Sequence, residues 1–210
     1  EPYRRQRQMC IRDSEIARAI AILDNIPSIP LYEGARETYR MLSEGFDLVR
    51  DDTSETAIHI EFIDFDNPSK NIFKVVNQYT VDDVKTRRPD LLVFVNGIPI
   101  TIFEFKSAIE EDATIHDAWE QIKIRYSRDI PALLKYCTMA VISDGVNTKL
   151  GTIFTPYKFF YSWNKANDTD TVANGISSLF TMIEGTFAQE RLLQIFRDFI
   201  FFPDDSKKEE

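Results

Sequence analysis

Residues 89–106 read PDLLVFVNGIPITIFEFK: Pro89-Asp90, an apolar run, Asn96-Gly97, a second run of mostly apolar residues, and Glu104-Phe105-Lys106. Asn-Gly between two apolar stretches is the strongest short-range signal for a β-hairpin. A hairpin folded there brings its two open ends together, and with them Asp90, Glu104 and Lys106. Glu104 and Lys106 stand two residues apart and so share a strand face. Charges inside such a run are costly to bury without a partner or a task.

Two carboxylates and an ammonium at one end of buried strands form the minimum set for metal-dependent hydrolysis of a phosphodiester. The reaction needs a hard cation to neutralise developing charge and acidify a water, and Mg2+ takes few protein ligands. Asp90 and Glu104 are the candidate metal ligands, with the Phe105 backbone carbonyl as a possible third. Lys106 is placed to orient the attacking water or help take its proton. The plainer alternative is an edge-strand salt bridge between Glu104 and Lys106 or Asp90. Register discriminates. A two-residue loop pairs Val95 with Ile98 and sets Asp90 opposite Phe103, whereas a three-residue loop pairing Val95 with Pro99 sets it opposite Glu104. The expectation is therefore a bulged or longer turn over residues 96–98, or a distortion near Asp90. An undistorted two-residue hairpin would leave the carboxylates on opposite faces and exclude a shared metal.

The rest of the 210-residue chain fits one domain. It is 43% hydrophobic and 28% charged, the balance of a globular protein. No apolar run approaches the ~20 residues of a membrane helix, no signal peptide is visible, and Cys10 and Cys137 make no disulfide framework, so a cytoplasmic setting is expected. The net charge of −9 argues against a protein coated in base. Base is nonetheless local: Lys85, Arg87 and Arg88 lead into Asp90, and Lys123, Arg125, Arg128 and Lys135 form a second stretch. The stretch YRRQRQMCIRDS (residues 3–14) resembles translated sequencing-adapter read-through, so residues 1–14 are expected to be non-native. Residues 15–201 are read as the folded domain and 202–210 as a charged linker.

Periodicity predicts helices over residues 15–26 and 32–44, the second ending at Gly45. The first carries Ile16, Ala17, Ile20, Ala21, Leu23 and Ile26 as the apolar residues of an amphipathic helix. Strands follow near Ile58, Ile60 and Phe62, over residues 72–80, 91–95 and 100–106. Thr114, with Asp117 three residues on, caps a helix whose buried stripe is Ile115, Ala118, Trp119, Ile122 and Tyr126. A short helical segment from Pro131, a strand over residues 138–142, a strand pair within 150–163, and helices near 173–184 and 188–201 complete an α/β domain. His59 and His116 lack ligand spacing, so zinc is not expected. Asn77 and Gln78 could reach a phosphate or pair an amide with a neighbouring loop. No Gly-x-x-x-x-Gly-Lys-[Ser/Thr] phosphate loop is present.

The segment RPDLLVFVNGIPITIFEFKSA, with FIDFDNPSKNIFKVVNQYTVD before it and DAWEQIKIRYSRDIPALLKYCTMAVISDG after it, resembles the nuclease core of the restriction (HsdR) subunit of type I restriction–modification enzymes. The likeness covers roughly residues 30–163. It implies a PD-(D/E)xK restriction-endonuclease-like core, a mixed sheet flanked by helices, acting as a Mg2+-dependent type I site-specific deoxyribonuclease. Its catalytic positions would be Asp90, Glu104 and Lys106. The implied partners are double-stranded DNA and the methyltransferase and specificity subunits, with ATP used only by a motor in a full-length parent. The family also carries a Gln-x-x-x-Tyr element on the following helix. Here Gln121 is followed by Tyr126, one residue further on, and five residues of ideal helix rotate by ~140°. Gln121 carries over as a DNA-contacting or site-supporting residue. Tyr126 stays open between that role and a core aromatic. Arg87, Arg88, Lys123 and Arg125 are the further candidates for the DNA backbone. Two other readings remain, a non-catalytic docking module of a DNA motor and a repair or recombination nuclease.

Overall fold

The computed structural model describes residues 11–52, 54–107, 114–163, 165 and 177–203. Its centre is a five-stranded mixed sheet in the order β3-β4-β5-β6-β7, comprising β3 (Phe73–Asn77), β4 (Leu91–Val95), β5 (Ile98–Phe105), β6 (Met139–Ser143) and β7 (Thr148–Thr152). The β5–β6 pair is parallel and its neighbours are antiparallel. A parallel pair needs a crossover, and here a mostly helical one runs from α3 (Ile115–Glu120) through α4 (Ser127–Asp129) to α5 (Pro131–Leu134). Thr114 caps α3, and the Asp117 carboxylate accepts from the Thr114 N–H at 2.6 Å, the expected reciprocal box.

The two sheet faces bury separate cores. On one, Leu92, Ile102, Ala140 and Ile142 pack against Ile115, Ala118, Ile122, Tyr126 and Ile130 of the crossover. On the other, Val93, Val95, Ile100, Phe103 and Val141 meet Met41 and Leu42 of α2 (Leu31–Glu44) and Leu192, Leu193 and Phe196 of α7 (Gln189–Asp198). Helix α6 (Ser177–Thr186) precedes α7. The alternation along β4, Leu92 to one side and Val93 to the other, is what a doubly covered strand requires.

The hairpin keeps its two-residue turn, and the register changes inside the strand instead. Asn96 (φ 52°) and Gly97 (φ 84°) both take positive φ, the type I′ geometry. Val95 pairs with Ile98 and Phe94 with Pro99, but Val93 then pairs with Thr101. Ile100 is thus the extra residue of a β-bulge. This corrects the expected position of the distortion, which is neither the turn nor Asp90. Pro99 supplies the cause: it has no N–H for the ladder, and a proline is tolerated in a central strand only beside such an irregularity. After the bulge Leu91 pairs with Phe103, so Asp90 falls opposite Glu104.

Other departures have similar long-range causes. Strand β1 (Phe46–Leu48), which pairs with β2 (Ile58–Ile60), was not expected. In α1 (Asp13–Asp24) the buried positions are Glu15, Ala19 and Leu23, while Ile16 and Ile20 are exposed. The Glu15 carboxylate is held by Arg50 Nε at 2.7 Å on the buried side of the helix. Arg12 caps α1 as part of the folded structure. Of the expected strand pair in 150–163, the second member is a single bridge from Leu150 to Tyr161. Phe202 and Pro203, expected in the linker, pack back: the Tyr32 hydroxyl donates to the Pro203 carbonyl at 2.6 Å and Phe202 contacts Tyr32 and Tyr39. Residues 1–10 and 204–210 lie outside the described residues.

Candidate active site

Asp90 precedes β4, Glu104 lies near the end of β5, and Lys106 follows it. The bulge at Ile100 reverses the in–out parity of the rest of β5, so Glu104 shares the Leu92/Ile102 face, towards the crossover. Without it Glu104 would point to the α2/α7 side, away from Asp90. Asp90 Oδ2 accepts from the Phe105 N–H at 2.8 Å and Oδ1 from Gln78 Nε2 at 2.7 Å. The N–H and C=O of a strand residue face the same neighbour, so the Phe105 carbonyl also faces the Asp90 side.

Glu104 is 2% exposed and surrounded by donors. Lys106 Nζ reaches Oε1 at 3.2 Å, Gln121 Nε2 donates to the same oxygen, and the Tyr126 hydroxyl donates to Oε2 at 3.0 Å. Lys106 Nζ also donates to Gln121 Oε1 at 2.8 Å, closing the network. The carboxyl is nevertheless pushed up to about 7, first by burial and then by the charge of Asp90, against the opposing pull of Lys106 and Tyr126. Two acids therefore repel one another at a place where a cation would relieve both. Among the described residues no group of three or more His, Cys, Asp or Glu is placed to hold a metal. The two carboxylates and the Phe105 carbonyl would offer only hard oxygens, a set that would fit a cation keeping several of its waters.

Gln121 and Tyr126 meet because the helix between them is not an α-helix. Residues Gln121–Tyr126 form a π-helical turn, with i→i+5 spacing, continuous with α3 and α4. The added residue is absorbed, and Gln121 Nε2 donates to the Tyr126 hydroxyl at 2.8 Å. Tyr126 is 2% exposed. It is at once a core aromatic and a hydrogen-bonding member of the polar network. Burial raises its hydroxyl above the ordinary tyrosine range, with the Glu104 charge adding to the shift, so it remains a donor at neutral pH.

Beside this network lies an open cleft of about 420 Å³ lined by Thr80, Thr86, Arg87, Arg88, Gln121, Arg125 and Tyr126. Arg88 and Arg125 are exposed at its wall. Arg87 lines it too, but its Nε donates to Asp129 Oδ2 at 2.7 Å, and Arg128 Nε holds Oδ1 at 2.7 Å. Lys123 is not brought here: it donates to the Phe154 carbonyl at 3.2 Å and lines a different cleft with Tyr32 and Phe202. Lys135 is buried, donating to the carbonyls of Asp24 and Ile26 at 2.7 and 2.8 Å. Most of the second basic stretch is thus structural. Sequence reasoning missed the part played by Gln78. Its signal was positional: β3 pairs Asn77 with Leu91, so the next pair across the sheet is Gln78 with Asp90.

The family described as the N terminus of type I restriction enzyme R proteins matches residues 2–159. The MjaIXP endonuclease subunit of Methanocaldococcus jannaschii is 36% identical over 191 residues, 81% of this chain and 18% of that protein. The type I restriction enzyme HindI endonuclease subunit of Haemophilus influenzae is 30% identical over 173 residues, 80% of this chain and 16% of that protein. The SsaAORF53P endonuclease subunit of Staphylococcus saprophyticus is 26% identical over 167 residues, 77% of this chain and 17% of that protein. The chain spans less than a fifth of the length of each of these relatives. With a match over most of its length, it belongs to the family of N-terminal domains of type I restriction enzyme R proteins.

Proposed function

We propose that this chain is the Mg2+-dependent DNA endonuclease module of a type I restriction R subunit. It would cut duplex DNA after ATP-driven translocation by other parts of a complex that includes methyltransferase and specificity subunits. The observation that carries this reading is the bulge at Ile100, which sets Glu104 and Lys106 on the face where Asp90 stands. Membership of a restriction nuclease family supports a divalent-metal requirement, and the all-oxygen donor set favours Mg2+.

Asp90, Glu104 and the Phe105 carbonyl would hold the ion, whose charge stabilises the phosphorane-like transition state and acidifies a water. Two lone pairs on each carboxylate oxygen leave Asp90 free to bind a cation while keeping its bonds to Gln78 and Phe105. Lys106 Nζ, held by Glu104 and Gln121, is poised to orient the attacking water and to offset charge on the scissile phosphate. Tyr126 and Gln121 fix the Glu104 carboxylate, so Tyr126 supports the site from within and does not itself touch DNA. Arg88 and Arg125 are the side chains on the cleft wall suited to backbone phosphates, with Arg87 tied down beside them. Phosphate contacts position without specifying, so the module should cut with little sequence preference of its own.

The test uses the complete protein assembled with its partner subunits, ATP, Mg2+ and an unmodified target. Wild type should cut and Lys106→Ala should not, while both translocate. Equal cutting by the two removes Lys106 from the mechanism. Translocation without cutting by wild type supports a docking module instead.

A further inference from the structure

Gln78 is exposed, carries a side chain, and adopts φ 51°. That region is left-handed, uncommon for residues other than glycine and, to a smaller extent, asparagine and aspartate. Here it ends β3: Asn77 pairs with Leu91, Gln78 donates its N–H to the Asp90 carbonyl at 2.9 Å, and the chain then turns into a loop closed by the Val81–Arg87 bridge. Glycine or asparagine would serve that backbone turn at least as well. What glutamine adds is reach, because its Nε2 lies 2.7 Å from Asp90 Oδ1.

The chemistry of the pair fixes its direction. An ionised carboxylate only accepts, so the amide nitrogen must face it. Asp90 is therefore gripped from both sides, by the Gln78 amide on Oδ1 and the Phe105 N–H on Oδ2. The second grip comes from the strand that carries Glu104. Register explains the alignment, since Gln78, Asp90 and Glu104 fall in one row across three neighbouring strands. Asp90 stands just before its strand begins, half-buried, with its carboxylate angle set by these two hydrogen bonds.

We infer that Gln78 is a positioning residue for Asp90, orienting its carboxylate towards the metal position and setting how tightly the site binds a divalent cation. Partners that orient metal-binding carboxylates typically change metal affinity by ~10–100-fold when removed. Because this amide is exposed and water can replace part of it, the expected effect is at the lower end, about tenfold. The inference rests on the metal-nuclease reading of Asp90 and Glu104, and the experiment separates the two.

Mn2+ is the probe, titrated into the 210-residue chain with free ion counted by electron paramagnetic resonance. Melting temperature is measured in parallel in a chelator. The variants are Gln78→Gly, which relieves the backbone and removes the amide, Gln78→Asn, which tolerates the backbone and shortens the reach, and Asp90→Ala. Both Gln78 variants should bind Mn2+ about tenfold more weakly with the chelator melting temperature unchanged or raised, and Asp90→Ala should lose binding. A purely structural residue would instead show melting temperature and Mn2+ affinity falling in step, which overturns the inference. If Gln78→Gly binds like wild type while Asp90→Ala does not, the metal site stands and the role of Gln78 is lost. Equal binding by wild type and Asp90→Ala removes the metal reading itself, and this inference with it.

Discussion

Glu104 and Asp129 are both buried acids on or beside the crossover face of the sheet, and their surroundings push them in opposite directions. Asp129 sits between two guanidiniums, Arg128 donating to both of its oxygens and Arg87 to Oδ2, and is held far below the usual carboxylate range. Glu104 has one ammonium shared with an amide, a neutral hydroxyl, and a second carboxylate opposite it across the strands, and is raised to about 7. The first acid is saturated by charge and acts as a latch between the loop before β4 and the end of the crossover. The second is surrounded by donors yet left short of positive charge. A buried pair that is already neutralised has little to offer a cation, whereas two repelling carboxylates do.

The contrast can be broken most severely at Glu104. Glu104→Gln should lower DNA cleavage by the complete assembly by at least ~10²–10³-fold, the scale for losing one group that stabilises transition-state charge. Translocation should continue. Asp129→Asn should lower the melting temperature without changing the Mn2+ affinity of the folded chain. A loss of metal binding there would erase the distinction between latch and site.

The two acids should titrate with opposite effects on stability. The folded value for Glu104 is raised from 4.5 to about 7. Its contribution to metal-free stability is therefore complete below about 4.5 and is lost as pH rises towards 7. The shift corresponds to about 3 kcal/mol. Denaturant titrations from pH 4.5 to 8 should show this loss in wild type and not in Glu104→Gln. Asp129 is depressed, so its contribution is present above the unfolded value and disappears as pH falls through the acid range. In Asp129→Asn the acid limb of the stability profile should flatten.

Smaller effects are expected in the network around Glu104. Tyr126→Phe removes one donor to the carboxylate, which should cost about 1 kcal/mol at pH 8 and move the Glu104 titration upward. Deleting Ile124, which is 57% exposed within the π-helical turn, returns the spacing of Gln121 and Tyr126 to four residues. A regular helix then aligns the two, so cleavage should stay within about tenfold of wild type. A cleavage loss as large as that of Glu104→Gln would mean that the turn does more than align them.

Much of this was legible from local pattern. Asn96-Gly97 announced the hairpin, Thr114 and Asp117 the start of the crossover, and the two-residue spacing of Glu104 and Lys106 their common face. The need for an irregular register was also readable, because a plain two-residue turn could not bring Asp90 to Glu104. Its location was less open to view, although Pro99 in a central strand was the available clue. What stayed hidden depends on partners far along the chain. Arg87 finds Asp129 across 42 positions, Glu15 finds Arg50 across 35, and Gln78 finds Asp90 only through strand pairing. The π-helical turn is a tertiary choice too, since an isolated helix gains nothing from the wider hydrogen-bond ring, whereas here it unites Gln121, Tyr126 and Glu104.

A divalent cation shared by Asp90 and Glu104 is what the proposed chemistry requires above all. Anomalous scattering from Mn2+ in crystals of the chain addresses it directly. One dominant peak is expected within about 2.5 Å of an oxygen of each carboxylate, with the Phe105 carbonyl beside it, abolished in Asp90→Ala. A dominant peak elsewhere, or none at a Mn2+ concentration that supports DNA cleavage by the complete assembly, would contradict it.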